Sequence, residues 1–480
     1  MDEILKRDAT DQLSALTALR ISSLELLEAA LARHQATHGT LNAVVATSVE
    51  RARERARAID ELRARGEPMG RLAGLPMTVK DTFDVVGLPA SSGVEALRLR
   101  QAEDATVVRH ARDVGAVIWG KTNTPVMAGD WQSFNALYGT TSNPWDPART
   151  PGGSSGGAAA ALAAGVTALE IGSDIGGSLR VPASFCGVFS HKPTWGLVSQ
   201  HGHVPPSPGS WSERDLNVVG PMARSARDLR LLLSVLEDGP MAAKAAPMEL
   251  KGARIGLWLA EPGFPLDPEV RAAIEAFAAE LAGAGAEVTP IPAPAPMRTL
   301  MPAYQTLLGA IVGADMPPAM IRRMERMRGW ARWSMARGAA PDSPAAISLA
   351  YTATHREWLA ADAVRQRLRR EVAPVFDRFD VVMAPIAPVA AFPHNHRDFA
   401  KRTLTLSTGE TIPYAAMLNW IALATALHLP ATTVPAGLAA SGLPVGVQLI
   451  GPTGGDARTL ALAQAIDENV RGFTAPEMRP

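Results

Sequence analysis

With one cysteine, Cys186, in 480 residues, the chain has neither an internal disulfide framework nor a multi-cysteine metal site available to it. Charge of one sign is equally absent. The 47 basic residues balance 47 acidic ones, so no overall field recruits nucleic acid or an anionic membrane, and a small molecule is the expected partner. The longest apolar run, Ala158 to Leu169, is dominated by alanine and falls short of the roughly 20 residues needed to cross a bilayer. The opening MDEILKRDATDQ carries acidic residues where a signal peptide needs a basic start and an apolar core. A soluble, cytoplasmic protein is expected. There is no internal repeat, and no low-complexity segment beyond an Ala/Pro-rich linker near 238–248.

What is present is an α/β texture. Residues 10–68, within an N-terminal scaffold of 1–70, read as helical: Ser22 and Glu25 form a capping box before LELLEAALARH, and ERARERARAIDELRAR alternates charge as an exposed face does. From Gly74, in a core of 71–235, short apolar runs punctuated by Gly and Pro (GLPMTVKD, AVIWGKTN, NVVGPMA) suit strands. Residues 253–292 give strand (RIGLWLA), helix (PEVRAAIEAFAAELAGAG) and strand (AEVTPI), the pattern of a parallel βα unit. Further strands at 380–385 and 445–451 follow a long helical stretch of about 300–377. Sheet strands on both sides of this insertion, 300–400 at its widest, argue for one domain over 1–480 with an inserted cover near the cleft.

Chemistry concentrates in two glycine-serine stretches, PGGSSGGAAAALAAG and GSDIGGSLR. On one reading the glycines only permit tight turns, and a helix N-terminus after GGSSGG holds an anion; no GK[ST] follows, which excludes a Walker loop. On a second, Gly153 to Gly157 fits G-x-S-x-G with Ser155 as nucleophile. That scheme needs a downstream acid and then a histidine, whereas His191, His201, His203, His355, His394, His396 and His428 are scattered, and His428 in the apolar ALHLPATT reads as a packed histidine. On a third, Lys80 joins the serines. In LPMTVKD, Met77 and Val79 alternate with Thr78 and Lys80, so a strand directs Lys80 toward a site, and burial there lowers a lysine pKa by as much as about 3–5 units. The neutral amine is then a base for a serine, itself a poor nucleophile.

The TVKD segment, PGGSSGGAAAALAAG and GSDIGGSLRVPASFCGVFSHKPT together resemble the amidase signature family. The similarity extends through NPWDPARTPGGSSGG, VGPMARSARDLRLLL and LPATTVPAG...GLPVGVQLIGP, which is most of the chain. The resemblance implies a single α/β/α sandwich with a mixed central sheet, and a Ser-cisSer-Lys triad: Ser178 as nucleophile, Ser154 as the bridging serine after a cis Gly153–Ser154 peptide, and Lys80 as neutral base. It implies an oxyanion hole from the N–H groups of Ile175, Gly176, Gly177 and Ser178. Ser155, Asp174 and Arg180 match supporting positions, and MAGDWQSFN aligns with the strip lining the acyl pocket, which nominates Ala128, Gly129, Asp130 and Trp131. No cofactor and no metal are implied.

The expected activity is hydrolysis of amide-type C–N bonds, on small-molecule amides, esters or carbamates, by a monomer or homodimer. General similarity to the bacterial urethanases of the family brings carbamates into the candidate class. Two alternatives stand beside this reading. One is the glutaminyl-tRNA amidotransferase A subunit, whose tyrosine-rich segment before the late strands is not apparent in PYAAMLNWIALATALHLPATT; the other is a non-catalytic binding or assembly protein, which would have lost one of Lys80, Ser154 and Ser178. Cys186 in SFCGVF reads as a buried structural thiol, and His394 and His396 lack a third ligand at metal spacing. The spacing of Met320, Met324 and Met327, with Met316, Trp330 and Trp333, marks a helical face, read as core packing by default and as a substrate cover on the sharper view.

Overall fold

Val381–Pro385 shows how the fold is organised. Its residues fall alternately into two separate apolar clusters, Val381 and Met383 in one, Val382 and Ala384 in the other, as expected of a strand buried on both faces. The computed structural model describes residues 2–237, 247–340 and 343–478. Most of the expected linker near 238–248 lies outside them.

Eleven strands form one sheet: β1 (Val44–Thr47), β2 (Pro76–Lys80), β3 (Val117–Thr122), β4 (Leu169–Asp174), β5 (Phe189–Lys192), β6 (Val218–Ala223), β7 (Arg254–Leu257), β8 (Glu287–Pro290), β9 (Val381–Pro385), β10 (Ala431–Leu438) and β11 (Pro444–Ile450), in the spatial order β1-β3-β2-β4-β6-β5-β10-β11-β9-β7-β8. The sheet is mixed. β2 runs parallel to both neighbours, β7 pairs in parallel with β8 and β9, and the central strands β4, β6, β5, β10 and β11 pair antiparallel. One face carries the helices Ala226–Leu236, Pro268–Gly283 and Asp456–Asn469, whose Leu229, Leu232, Ile274, Phe277, Leu460 and Ile466 join Met77 and Val79 in a common core. The opposite face carries Met297–Ala314 and His355–Val372, which contribute Leu300, Tyr304 and Leu368. Each such side chain taken fully out of water contributes about 1.5–3 kcal/mol. The α/β/α sandwich expected from the sequence is the observed architecture.

Two segments differ from their sequence expectation. The N-terminal scaffold is helical over Ala9–Thr17, Ser23–Leu41 and Val49–Ala64, and the Ser22/Glu25 capping box forms, but the β-branched run at Val44–Thr47 leaves the helices to edge the sheet as β1. The helices of the insertion begin with Met297–Ala314 and end with Val375–Arg378, close to the helical stretch of about 300–377 read from the sequence, after which β9 re-enters the sheet. Its helices Pro318–Arg326 and Arg328–Ala336 leave Met320, Met327, Trp330 and Trp333 exposed to solvent, which overturns the default of core packing for that face. Their amphipathic pattern is real, but it does not say which face meets the protein. Among the described residues, no helix is long and apolar enough to cross a membrane.

Candidate active site

Because Met77 and Val79 enter the core on one face, Thr78 and Lys80 project to the other, and the parallel pairing of Thr78 with Glu170 and Val79 with Ile171 brings the end of β2 alongside β4. Lys80 there is fully buried. Its Nζ lies 2.7 Å from Ser154 Oγ and 3.0 Å from Ser173 Oγ. Ser154 stands in the turn that opens the helix Gly156–Ala163, joined to Gly153 by a cis peptide. Gly153 must be glycine, since a Cβ would sit 2.5 Å from the Asp130 carbonyl oxygen and 2.7 Å from the Gln132 nitrogen. The strip 130–132 thus presses directly on the Ser154 turn. Ser178 is slightly open at 6 %, against 1 % for Ser154, and its carbonyl accepts from the Ser155 N–H at 3.2 Å.

The loop 174–180 is held by one carboxylate. Asp174 Oδ1 accepts from the Gly177 N–H at 2.8 Å and Oδ2 from the Leu179 N–H at 3.1 Å, and the Arg180 guanidinium binds both oxygens at 3.0 Å. Arg180 reaches onward to Gln448 Oε1 at 2.8 Å and Thr425 Oγ1 at 2.6 Å. Burial would raise the Asp174 carboxyl, but the Arg180 charge holds it down at about 2. Both partners are fully buried. Arg180→Leu, which strands the Asp174 charge, is expected to cost about 3–5 kcal/mol in chemical denaturation. A loss below about 1 kcal/mol would contradict a role for this pair in fixing the loop.

These bonds bear on the four N–H groups expected to face a carbonyl oxygen. The Gly177 N–H is committed to Asp174, which corrects that expectation; among the described residues, those of Ile175, Gly176 and Ser178 have no hydrogen-bond partner. The carbonyls of the same loop are tied away: Trp131 Nε1 donates to Gly176 O at 2.7 Å and the Tyr304 hydroxyl to Ile175 O at 3.2 Å.

Of the four expected pocket residues, Trp131 is buried and touches the loop, while Ala128 is half-buried and Gly129 exposed. Asp130 points into a structural cluster, accepting from Arg402 and from the Tyr414 hydroxyl at 2.7 Å. Arg402 in turn lies over the rings of Phe134, Phe399 and Tyr414, so Asp130 braces the wall behind Trp131 and its charge is already matched. Half-buried Ile175 and Leu418, with Ile421, complete the apolar surroundings of the two glycines.

Burial pulls the Lys80 amine down to about 7, against the Asp174 and Glu170 carboxylates, which favour its charged form. Glu170, also buried, is raised to about 8 despite the hydrogen bond from Thr78 Oγ1 at 2.6 Å.

The other candidates fall outside this group. Ser155 is fully buried with Oγ turned to the Ser173 carbonyl at 3.4 Å, with no histidine on it. Cys186 is fully buried, which pushes its thiol well above the usual range. His394 bonds the Pro147 carbonyl and His396 stacks on Phe134 at 4.1 Å. His428 sits in a polar cluster with Asp215 and Arg365, and is not simply packed among apolar neighbours. Two residues touching the lysine pocket escape the sequence reading: Ser173, inside the quoted GSDIGGSLR, and His203, whose Nε2 is 2.8 Å from Ser173 Oγ.

The amidase family profile matches residues 25–460, and the chain belongs to that family, the amidase signature enzymes. It is 35% identical over 500 residues to the A subunit of the glutamyl-tRNA(Gln) amidotransferase of Anaeromyxobacter sp. (strain K), with 96% of each chain covered. Among solved structures it is similar to a bacterial aryl acylamidase of the amidase signature family (25% identity, TM-score 0.79, 97% and 96% covered) and to 6-aminohexanoate cyclic dimer hydrolase in complex with substrate (27% identity, TM-score 0.78, 99% of each).

Proposed function

We propose that this protein hydrolyses amide C–N bonds through an acyl-enzyme on Ser178, with Ser154 as proton bridge and Lys80 as base. The observation that carries the reading is the buried amine of Lys80, lowered to about 7 and 2.7 Å from Ser154 Oγ. Neutral Lys80 takes the proton of Ser154 as Ser154 takes that of Ser178; Ser178 Oγ bonds to the carbonyl carbon, and the oxyanion is met by the N–H groups of Ile175, Gly176 and Ser178. Lys80 returns the proton through Ser154 to the departing nitrogen, the C–N bond breaks, and water repeats the sequence on the acyl-enzyme. Because an ammonium cannot accept a proton, kcat/KM should rise through an acidic limb near the Lys80 value of about 7 and level off above it. A profile with its optimum below about pH 5, on folded protein, would contradict Lys80 as base.

The apolar wall of Trp131, Ile175, Leu418 and Ile421 supports aryl or extended apolar amides and carbamates as the substrate class. An anilide or aryl carbamate is expected to exceed acetamide in kcat/KM by about 1–3 kcal/mol, or 10–200-fold. Equal values would remove this assignment. The second reading, an A-type amidotransferase subunit, is favoured by the 35% identity to one such protein over nearly the whole chain. It uses the same residues on the amide of glutamine. The same panel separates the two: glutamine turned over faster than every aryl substrate, or only with partner subunits present, identifies the amidotransferase role.

A further inference from the structure

We infer that His203 is a positioning residue that aims the Lys80 lone pair at Ser154, by fixing the direction of the Ser173 hydroxyl. The inference rests on the Lys80–Ser154–Ser178 reading above and adds a residue to it. His203 Nδ1 is 2.6 Å from the Pro205 carbonyl oxygen, and a carbonyl only accepts, so Nδ1 carries the hydrogen. In a neutral imidazole Nε2 then carries the lone pair and accepts the Ser173 hydroxyl hydrogen across 2.8 Å. With its hydrogen given to His203, Ser173 Oγ is left as an acceptor facing Lys80 Nζ at 3.0 Å. Lys80 must therefore donate an N–H to Ser173. Its lone pair is left for the Ser154 hydroxyl.

The backbone holds His203 in this role. The Val204 N–H donates to Thr82 O at 2.7 Å and the Asp84 N–H to Gly202 O at 2.8 Å, so segment 202–204 is stapled to the residues that follow Lys80. The Phe83 ring packs edge-on against the imidazole at 5.0 Å. The charged or titratable groups facing this chain of bonds are Lys80 beyond Ser173, and Asp174 and Glu170 beyond Lys80. Burial, and then the Lys80 charge, press the imidazole down to about 3, so it stays neutral wherever Lys80 titrates. Without the imidazole acceptor, the Ser173 hydroxyl turns to donate to the Lys80 lone pair and competes with Ser154. That stabilises the neutral amine while blocking its use, so rate and acidic limb both fall.

The test is the rate at which a fluorophosphonate phosphonylates the enzyme, with thermal midpoints measured alongside. Ser178 Oγ bonds to phosphorus, fluoride leaves, and the serine proton passes through Ser154 to Lys80. Above the acidic limb, His203→Leu should be slower by about tenfold or more, with its limb moved to lower pH. His203→Gln, whose amide oxygen accepts in place of Nε2, should return to within about threefold of wild type. Ser173→Ala, which leaves His203 packed on Phe83 and removes the hydroxyl that would compete for the lone pair, should slow labelling less than His203→Leu, and the double variant should be no slower than Ser173→Ala alone. His203→Leu at wild-type rate, or His203→Gln as slow as His203→Leu, overturns the inference. Should His203→Leu fail to fold, His203→Phe, which keeps a ring against Phe83 and lacks the acceptor, takes its place: an unchanged rate overturns the inference. Labelling that survives Ser178→Ala refutes the triad reading itself, a result distinct from all of these.

Discussion

Ser178→Ala should lower turnover of any amide substrate by at least about 10³-fold, with the fold and thermal midpoint preserved. The change deletes one oxygen that is barely open to solvent and whose hydroxyl makes no hydrogen bond among the described residues, so no buried partner is left unsatisfied. On the proposed mechanism what is lost is the bond-forming atom, leaving the N–H groups of Ile175, Gly176 and residue 178 to polarise a carbonyl that nothing attacks. Measured by amine release from an anilide, activity within tenfold of wild type would remove Ser178 from the mechanism.

Lys80→Met should be nearly as severe, by about 10³-fold or more in kcat, with no gain on raising pH. Methionine keeps the reach and apolar bulk of the buried stem and removes the amine that lies 2.7 Å from Ser154 Oγ. Stability should hold or rise, because the amine is buried and its hydrogen-bond partners among the described residues are the hydroxyls of Ser154 and Ser173, with no carboxylate. Activity lost together with stability would mean that the lysine serves packing. Ser154→Ala should fall between wild type and these two, since a water can stand in for a bridging hydroxyl.

The parts of this site that are legible in the sequence are the local ones. Ser154 and Ser178 sit in two glycine-serine stretches that composition alone sets apart, and the alternation of LPMTVKD assigns Lys80 to a strand that directs it toward a site. The Asp174–Arg180 pair is six residues apart and follows from the same motif. The Gly177 N–H bond to Asp174 is equally local, an Asp accepting three residues on, yet a reading that counts every N–H of the loop as free passes over it. The remainder depends on contacts across the chain. Asp130 has no assignable chemistry in the sequence because Arg402 and Tyr414 are supplied from far along the chain; Tyr304 reaches Ile175 from the helical insertion; and His203 is one of ten histidines until the pairing of 202–204 with 82–84 brings it to the lysine. The exposed Met320, Met327, Trp330 and Trp333 show the limit of periodicity, which finds a face without telling what it meets.

The most direct test is to trap the acyl-enzyme. Rapid quenching of the protein during turnover of an activated aryl ester, followed by cleavage after Glu170 and peptide mapping, should place the acyl group on the peptide containing Ser178 and not on that containing Ser155, with none in Lys80→Met. An acyl group on Ser155 or Cys186, or a burst of product with no covalent adduct, would contradict the account.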